Sequence, residues 1–268
     1  MLYAESADIL APISYFKLLP IWSVYLFVFI FGVLIGSFLN VVIFRIPKKE
    51  SIVLPASHCM HCGHKLAWYD NIPLFSWISL GGKCRYCKEK ISVQYPIIEA
   101  LNGVAYFLIF MISGCNIDSI LYCAVFSALL ALSILDARTL EIENGFHIYI
   151  LVLAIIHLIV HRADWLSFVI GFFAASVPLA ILYLCSKGRA IGGGDIKLMA
   201  VCGLLLGWQN VLLALMVGCV AGSVIHLIRI RFFHANRILA MGPYLSLGVT
   251  TAALFGAQII NWYITLLV

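Results

Sequence analysis

Eight apolar segments follow one another along this chain, and their lengths constrain the fold more than any other feature. They are Ile21–Phe44, Ile97–Ser113, Ser119–Leu135, His147–His161, Leu166–Cys185, Ile196–Leu206, Asn210–Ile228 and Leu239–Val268. A helix needs about 20 residues to cross bilayer hydrocarbon, with a range of about 17–25. The fourth segment is short for this and the sixth shorter still. Helices suit such segments because they satisfy every backbone N–H and C=O internally, where lipid offers no partner. Hydrophobic residues make up 63% of the chain and charged residues 11%, against roughly a quarter charged in a soluble domain. The expected fold is an all-α polytopic membrane protein with about eight transmembrane helices.

The charge balance sets orientation and excludes one class of partner. A net charge of +5 would suit nucleic acid, but the bases fall in short clusters between apolar segments, where the positive-inside rule puts them. Membrane lipid is therefore the expected partner, with no nucleic acid. If the loop after the first segment is cytoplasmic, its side holds Arg45, Lys48, Lys49, Lys65, Lys83, Arg85, Lys88, Lys90, Arg138, Lys187, Arg189, Lys197, Arg229, Arg231 and Arg237. Only Lys17 and Arg162 of the 17 bases remain outside, and both termini are external.

The organisation expected is an external segment 1–20, a first transmembrane helix 21–44, a cytoplasmic loop domain 45–96 and a transmembrane core 97–268. Segment 1–20 has Glu5 and Asp8 before its only lysine, Lys17, unlike a cleaved signal peptide. Gly32 and Gly36 have the small-xxx-small spacing that lets helices approach closely, and Asn40 requires a hydrogen-bond partner within the bundle.

Nine cysteines divide into two groups. Cys115, Cys123, Cys185, Cys202 and Cys219 stand singly in or beside apolar segments, as small hydrophobes do. The rest form Cys59-x-x-Cys62 and Cys84-x-x-Cys87, with 21 residues between the pairs. Two such knuckles complete a tetrahedral four-thiolate zinc site. A disulfide reading conflicts with a reducing cytoplasm. A redox-active pair is a second alternative, and His58, His61 and His64 are available as substitute ligands. A four-thiolate site is closed, so its zinc is structural.

Twelve acidic residues remain to be placed. Most fall in loops, and Glu99 opens the second segment. Asp136 ends the third, and Asp195 opens the sixth after Gly192-Gly193-Gly194; on the topology above both lie at the cytoplasmic boundary, 59 residues apart in sequence. Carboxylates at a membrane segment are costly and mark function by default. Two facing ones do not ionise together easily, so one keeps a proton while the other acts as base. The base activates water against a peptide carbonyl and the acid protonates the departing amine. The glycines let a backbone substrate come close. The competing reading has each aspartate cap or salt-bridge a helix end, with Arg138 or Lys197 as partner. No Gly-x-Ser-x-Gly elbow, His-Glu-x-x-His helix or dinucleotide-binding turn is present.

Taken in order, the motifs resemble those of the bacterial type IV prepilin peptidases, over nearly the whole chain. Gly36-Ser37-Phe38-Leu39-Asn40-Val41-Val42-Ile43 with Arg45 and Pro47 is similar to the family's opening signature. The cysteine knuckles enclose Asp70-Asn71-Ile72-Pro73-Leu74 and lead to Ile91-Ser92, Tyr95-Pro96 and Glu99. Gly192-Gly193-Gly194-Asp195-Ile196-Lys197-Leu198 resembles the motif shared with the wider GxGD aspartic proteases, and Gly242-Pro243-Tyr244-Leu245 a final family motif.

The resemblance implies an inner-membrane enzyme that cleaves the leader from prepilins or type II secretion pseudopilins at the cytoplasmic face. Asp136 and Asp195 would be its catalytic pair and the four cysteines its cytoplasmic site. It also implies N-methylation of the new terminus with S-adenosylmethionine, for which no binding residues stand out; nor does any pattern assign an oligomeric state. The chain departs from the family at Glu143, where proline usually precedes the residue at Asn144, and at Ala240-Met241, where Pro-Phe is usual. The rival readings are a proton- or cation-coupled transporter using the two aspartates, and a noncatalytic scaffold docking a partner through the knuckle loop.

Overall fold

The computed structural model describes residues 21–189, 191–233 and 239–267. The expected external segment 1–20, with Lys17, and Arg237 from the count of bases lie outside the described residues. In chain order the α-helices are α1 (Ile21–Arg45), α2 (Phe75–Ser79), α3 (Gln94–Ser113), α4 (Ile117–Thr139), α5 (Asn144–Val160), α6 (Trp165–Cys185), α7 (Gly193–Leu206), α8 (Trp208–Phe233) and α9 (Gly242–Leu267). All but the short α2 coincide with an apolar segment, with ends shifted by a few residues. Six of them, α1, α3, α4, α6, α8 and α9, are long and apolar enough to cross a membrane. α5 has 17 residues and α7 has 14.

The shortness of α7 has a physical explanation. Its 14 residues rise about 21 Å, less than the roughly 30 Å of bilayer hydrocarbon. Protein rather than lipid surrounds it: Leu198, Met199, Cys202 and Leu205 are fully buried, and α5, α6, α8 and α9 pack around it. Gly207, at φ +80°, ends the helix and lets the chain turn at once into α8. Against α6 the approach is backbone to backbone, since a Cβ on Gly171 or Gly203 would run into the other's carbonyl oxygen. The other interior helix is α4, whose Leu129, Ala131 and Leu132 are buried at the centre of the same core.

The close contact expected at Gly32 and Gly36 is with α3. A Cβ on Gly36 would lie 2.7 Å from Glu99 Cα. Asn40, buried, donates from Nδ2 to the carbonyl oxygens of Tyr95 (3.2 Å) and Gly36 (3.3 Å). α1 and α3 thus form one pair, with α4 binding them to the remaining helices.

The loop between α1 and α3 is anchored to the bundle at both ends. Arg45 donates to the carbonyl oxygens of Ser51 (2.9 Å) and Pro55 (2.6 Å). At the far end, buried Glu99 accepts the Leu74 N–H at 2.8 Å, holding a leucine whose φ of +60° is unusual outside glycine. Glu99 therefore tethers the loop and is spent structurally.

Candidate active site

Asp136 sits in the last turn of α4 and Asp195 in the first turn of α7, 5% and 8% exposed. They lie within coulombic reach of each other and share one cavity of about 400 Å³. Glu141, Glu143, Asn144, Gly192, Gly193, Gly194 and Lys197 also line it. Two helices remote in sequence thus present a carboxylate each to one polar space at the bundle's end.

Local backbone explains where each carboxylate points. Gly192 is the N-cap of α7 and Asp195 its third residue, so the carboxylate turns back to accept the Gly192 N–H. This is the returning half of a capping box. A Cβ on Gly192 would come 3.2 Å from Asp195 Oδ2, and one on Gly194 3.0 Å from the Ile142 Cβ. Glycine at these positions keeps the α4–α5 connection close to the carboxylate. Asp136 is held from another direction: the Gly242 N–H, at the start of α9, donates to its Oδ2 at 2.7 Å. A Cβ on Gly242 would fall 2.7 Å from that oxygen.

The cations nearest the aspartates in sequence are engaged elsewhere. Arg138 donates to Gln94 and lies over the Phe44 ring, 5.6 Å from its centroid. Lys197 donates to Asn144 Oδ1 at 3.0 Å. Among the described residues neither aspartate is in an ion pair. The salt-bridge half of the competing reading is thereby corrected, since each basic neighbour has a better-placed partner on a different helix, while its capping half holds for Asp195 at the start of α7. What is left is a pair of carboxylates open to one cavity, which can share a proton and divide the roles of acid and base.

Glu143 is exposed on the cavity wall, at the N-cap of α5. Three further residues organise the site in roles that sequence reasoning did not assign. Asn144 and Lys197 join α5 to α7. Buried His147 donates from Nε2 to the Gly194 carbonyl oxygen at 3.0 Å, fixing the glycine turn from the α5 side. Gly242 was visible as part of a motif, but its role was not, because a backbone amide leaves no mark on the side-chain pattern.

The four cysteines converge on the same end of the bundle. The knuckles share one backbone geometry: Cys59 N–H donates to His64 O (2.9 Å) and Cys84 N–H to Glu89 O (2.8 Å). The residue after each second cysteine, Gly63 or Lys88, has a φ of +68° or +62°. The four sulfurs lie within 4.8 Å of one another, with Cys59 Sγ and Cys87 Sγ 3.8 Å apart. Zinc–sulfur bonds of about 2.3 Å set tetrahedral sulfurs roughly 3.8 Å apart, so the donor set fits zinc. Backbone N–H groups, led by that of Cys62, hold the Cys59 thiol down to about 6, favouring the thiolate a metal needs. None of His58, His61 and His64 joins the four-sulfur group: His58 bonds the Ala56 carbonyl at 3.2 Å and the His64 ring lies tilted against Tyr86, centroids 3.6 Å apart.

Comparison with known proteins finds matches over most of the chain. Residues 30–113 match the model of the bacterial peptidase A24 N-terminal domain, and residues 123–227 that of the type IV leader peptidase family. Three relatives are named prepilin leader peptidase/N-methyltransferase. That of Aeromonas hydrophila is 30% identical over 91% of this chain and 95% of its own length. That of Vibrio cholerae serotype O1 is 37% identical over 70% and 80%. That of Myxococcus xanthus is 33% identical over 77% of this chain and 62% of its own length. No solved structure gives a significant match. The chain belongs to the type IV leader peptidase family.

Proposed function

We propose that this protein is an aspartic endopeptidase that removes the leader peptide from type IV prepilins or type II secretion pseudopilins. The observation that carries the reading is the single cavity lined by Asp136, Asp195 and the Gly192–Gly194 turn. One carboxylate, ionised, takes a proton from a water lodged between the two. The water attacks the scissile carbonyl while the other, protonated, gives its proton to the departing amine. The glycine turn lets the substrate backbone lie against the cavity wall. Gly242 positions Asp136, and the Asn144–Lys197 and His147–Gly194 links position the turn that carries Asp195.

The site is assigned to the cytoplasmic face of the inner membrane. In support, the knuckle loop and the bases Arg45, Arg138 and Lys197 cluster at the same end of the bundle as the aspartates. The proposed division is an external segment 1–20, a first helix 21–44, a zinc-binding loop domain 45–96 and a peptidase core 97–268. Cys59, Cys62, Cys84 and Cys87 would hold one structural zinc ion, which keeps the loop folded over the membrane surface and takes no part in the chemistry.

N-methylation of the new terminus, with S-adenosylmethionine as donor, is proposed from the relatives' names. An apolar slot beside Tyr122 and Val249 holds about 10 Å³, too little for that cofactor.

The experiment is incubation of the purified protein in detergent with a synthetic prepilin N-terminal segment, with products identified by mass. Cleavage at one bond, with Glu99→Gln retaining part of the activity, is expected. Uncleaved substrate, with ion uptake by reconstituted vesicles, would replace the peptidase by a transporter.

A further inference from the structure

At the opposite end of the bundle, three side chains that the peptidase reading leaves unused converge on one point. Asp118 lies in the first turn of α4; His157 is in the last turn of α5 and His161 caps it. His161 Nε2 is 2.8 Å from Asp118 Oδ1, and His157 Nε2 is 3.7 Å from the same oxygen. The ligand atoms of the three all lie within 4.8 Å of one another. Asp118 and Asp136 are separated by 18 residues of one helix, about 27 Å of rise, so this cluster and the aspartate cavity face opposite membrane boundaries.

We propose that Asp118, His157 and His161 form a second metal site, for a divalent transition ion of the zinc class. Histidines four apart lie one above the other on a helix face, the spacing by which helices chelate zinc. Bonds of about 2.1 Å place tetrahedral nitrogen and oxygen ligands roughly 3.4 Å apart, between the two distances observed. His157 supplies an independent indication. It is 5% exposed, and its Nε2 stops 3.7 Å from Asp118 Oδ1, beyond hydrogen-bond length. A buried imidazole left so is costly, and an ion between it and Asp118 would satisfy Nε2. Its ring is meanwhile fixed edge-on to Phe168, with centroids 5.2 Å apart.

The donor chemistry narrows the ion. Two imidazoles and one carboxylate suit zinc and its first-row neighbours, whereas calcium and magnesium take oxygen donors. The His161 and Asp118 side chains are 37% and 25% exposed, which gives an entry path and a position for water as fourth ligand. Bound there, the ion would tie the start of α4 to the end of the short α5. α4 carries Asp136, and α5 carries the Asn144 and His147 links to α7.

The test uses the full chain in detergent, stripped with a chelator and reloaded with Co²⁺. Cobalt held by thiolates absorbs strongly through sulfur-to-metal charge transfer, and cobalt held by nitrogen and oxygen does not. The wild type should bind two ions per chain, one with the thiolate band and one without. His161→Gln and Asp118→Asn should each lose the second ion, with the thiolate band and helical content unchanged. Even one bound ion without the band would support this site while sinking the cysteine reading. A wild type that binds a single, thiolate-held ion overturns the proposal, as does retention of both ions by the two variants. Either result would leave the three side chains as a hydrogen-bonded link between helix ends.

Discussion

Replacing Gly242 with alanine tests whether the amide at the start of α9 sets the position of Asp136. The new Cβ would fall 2.7 Å from Asp136 Oδ2, 3.0 Å from its Cβ and 3.1 Å from its Cγ. The first of these is closer than real Cβ atoms come, so the carboxylate must move by several tenths of an ångström or more. That movement lengthens the 2.7 Å bond from the Gly242 N–H. A hydrogen bond to a charged group contributes about 1.5–3 kcal/mol, and a misplacement near 1 Å costs on the order of 100-fold in rate. Cleavage by Gly242→Ala should therefore fall about 10- to 100-fold in kcat, with KM changed little because binding surfaces remain. Thermal unfolding should move little, since the site is at a helix start rather than in the packed interior. Steady-state kinetics on a synthetic prepilin segment, paired with a melting curve, provide the assay. A kcat within twofold of wild type would show that Asp136 does not depend on this amide.

Three further outcomes follow from the same geometry. Purified protein should carry about one zinc held by the knuckles, and Cys59→Ser with Cys84→Ser should lose it and make the loop protease-sensitive; retention of that metal on elemental analysis would refute the four-cysteine assignment. Gly203→Ala drives a methyl into the Gly171 carbonyl, an overpacking that costs about 1–3 kcal/mol. Both the unfolding temperature and the cleavage rate should drop, and an unchanged melt would mean the α6–α7 contact yields without cost. A reporter fused after Lys90 should behave as cytoplasmic and one fused after Asp118 as external; the reverse pattern would overturn the orientation.

Much of the helical layout is readable from the chain because bilayer thickness imposes a length on each apolar segment. The same rule flagged α5 and α7 as short without explaining them. The explanation lies in packing: α7 need not span, since Leu198, Met199, Cys202 and Leu205 face other helices. The knuckles and the Gly-Gly-Gly-Asp turn were legible because their chemistry is local, a few residues with fixed spacing. What stayed hidden depends on tertiary approach. The Gly242 amide meets Asp136 across 106 residues, and Lys197 reaches Asn144 across 53. Pairing Arg138 with Asp136 by proximity in sequence failed because Gln94 and Phe44, on other helices, hold the guanidinium. The His157–His161 pair lies at the end of an apolar segment, and only the packing of α4 against α5 brings Asp118 beside it.

The proposed dyad is tested most directly by comparing Asp136→Asn, Asp195→Asn and the double variant in one cleavage assay. Asparagine keeps shape and the hydrogen bond from Gly242 or Gly192, but it cannot act as base or share the proton. Each single variant should lose cleavage while still inserting in the membrane and keeping its cysteine-bound metal. The double variant should be little worse than either, because groups acting as one unit are not additive. Normal cleavage by both single variants, or cleavage by Asp136→Asn alongside its loss in Glu143→Gln, would contradict the assignment.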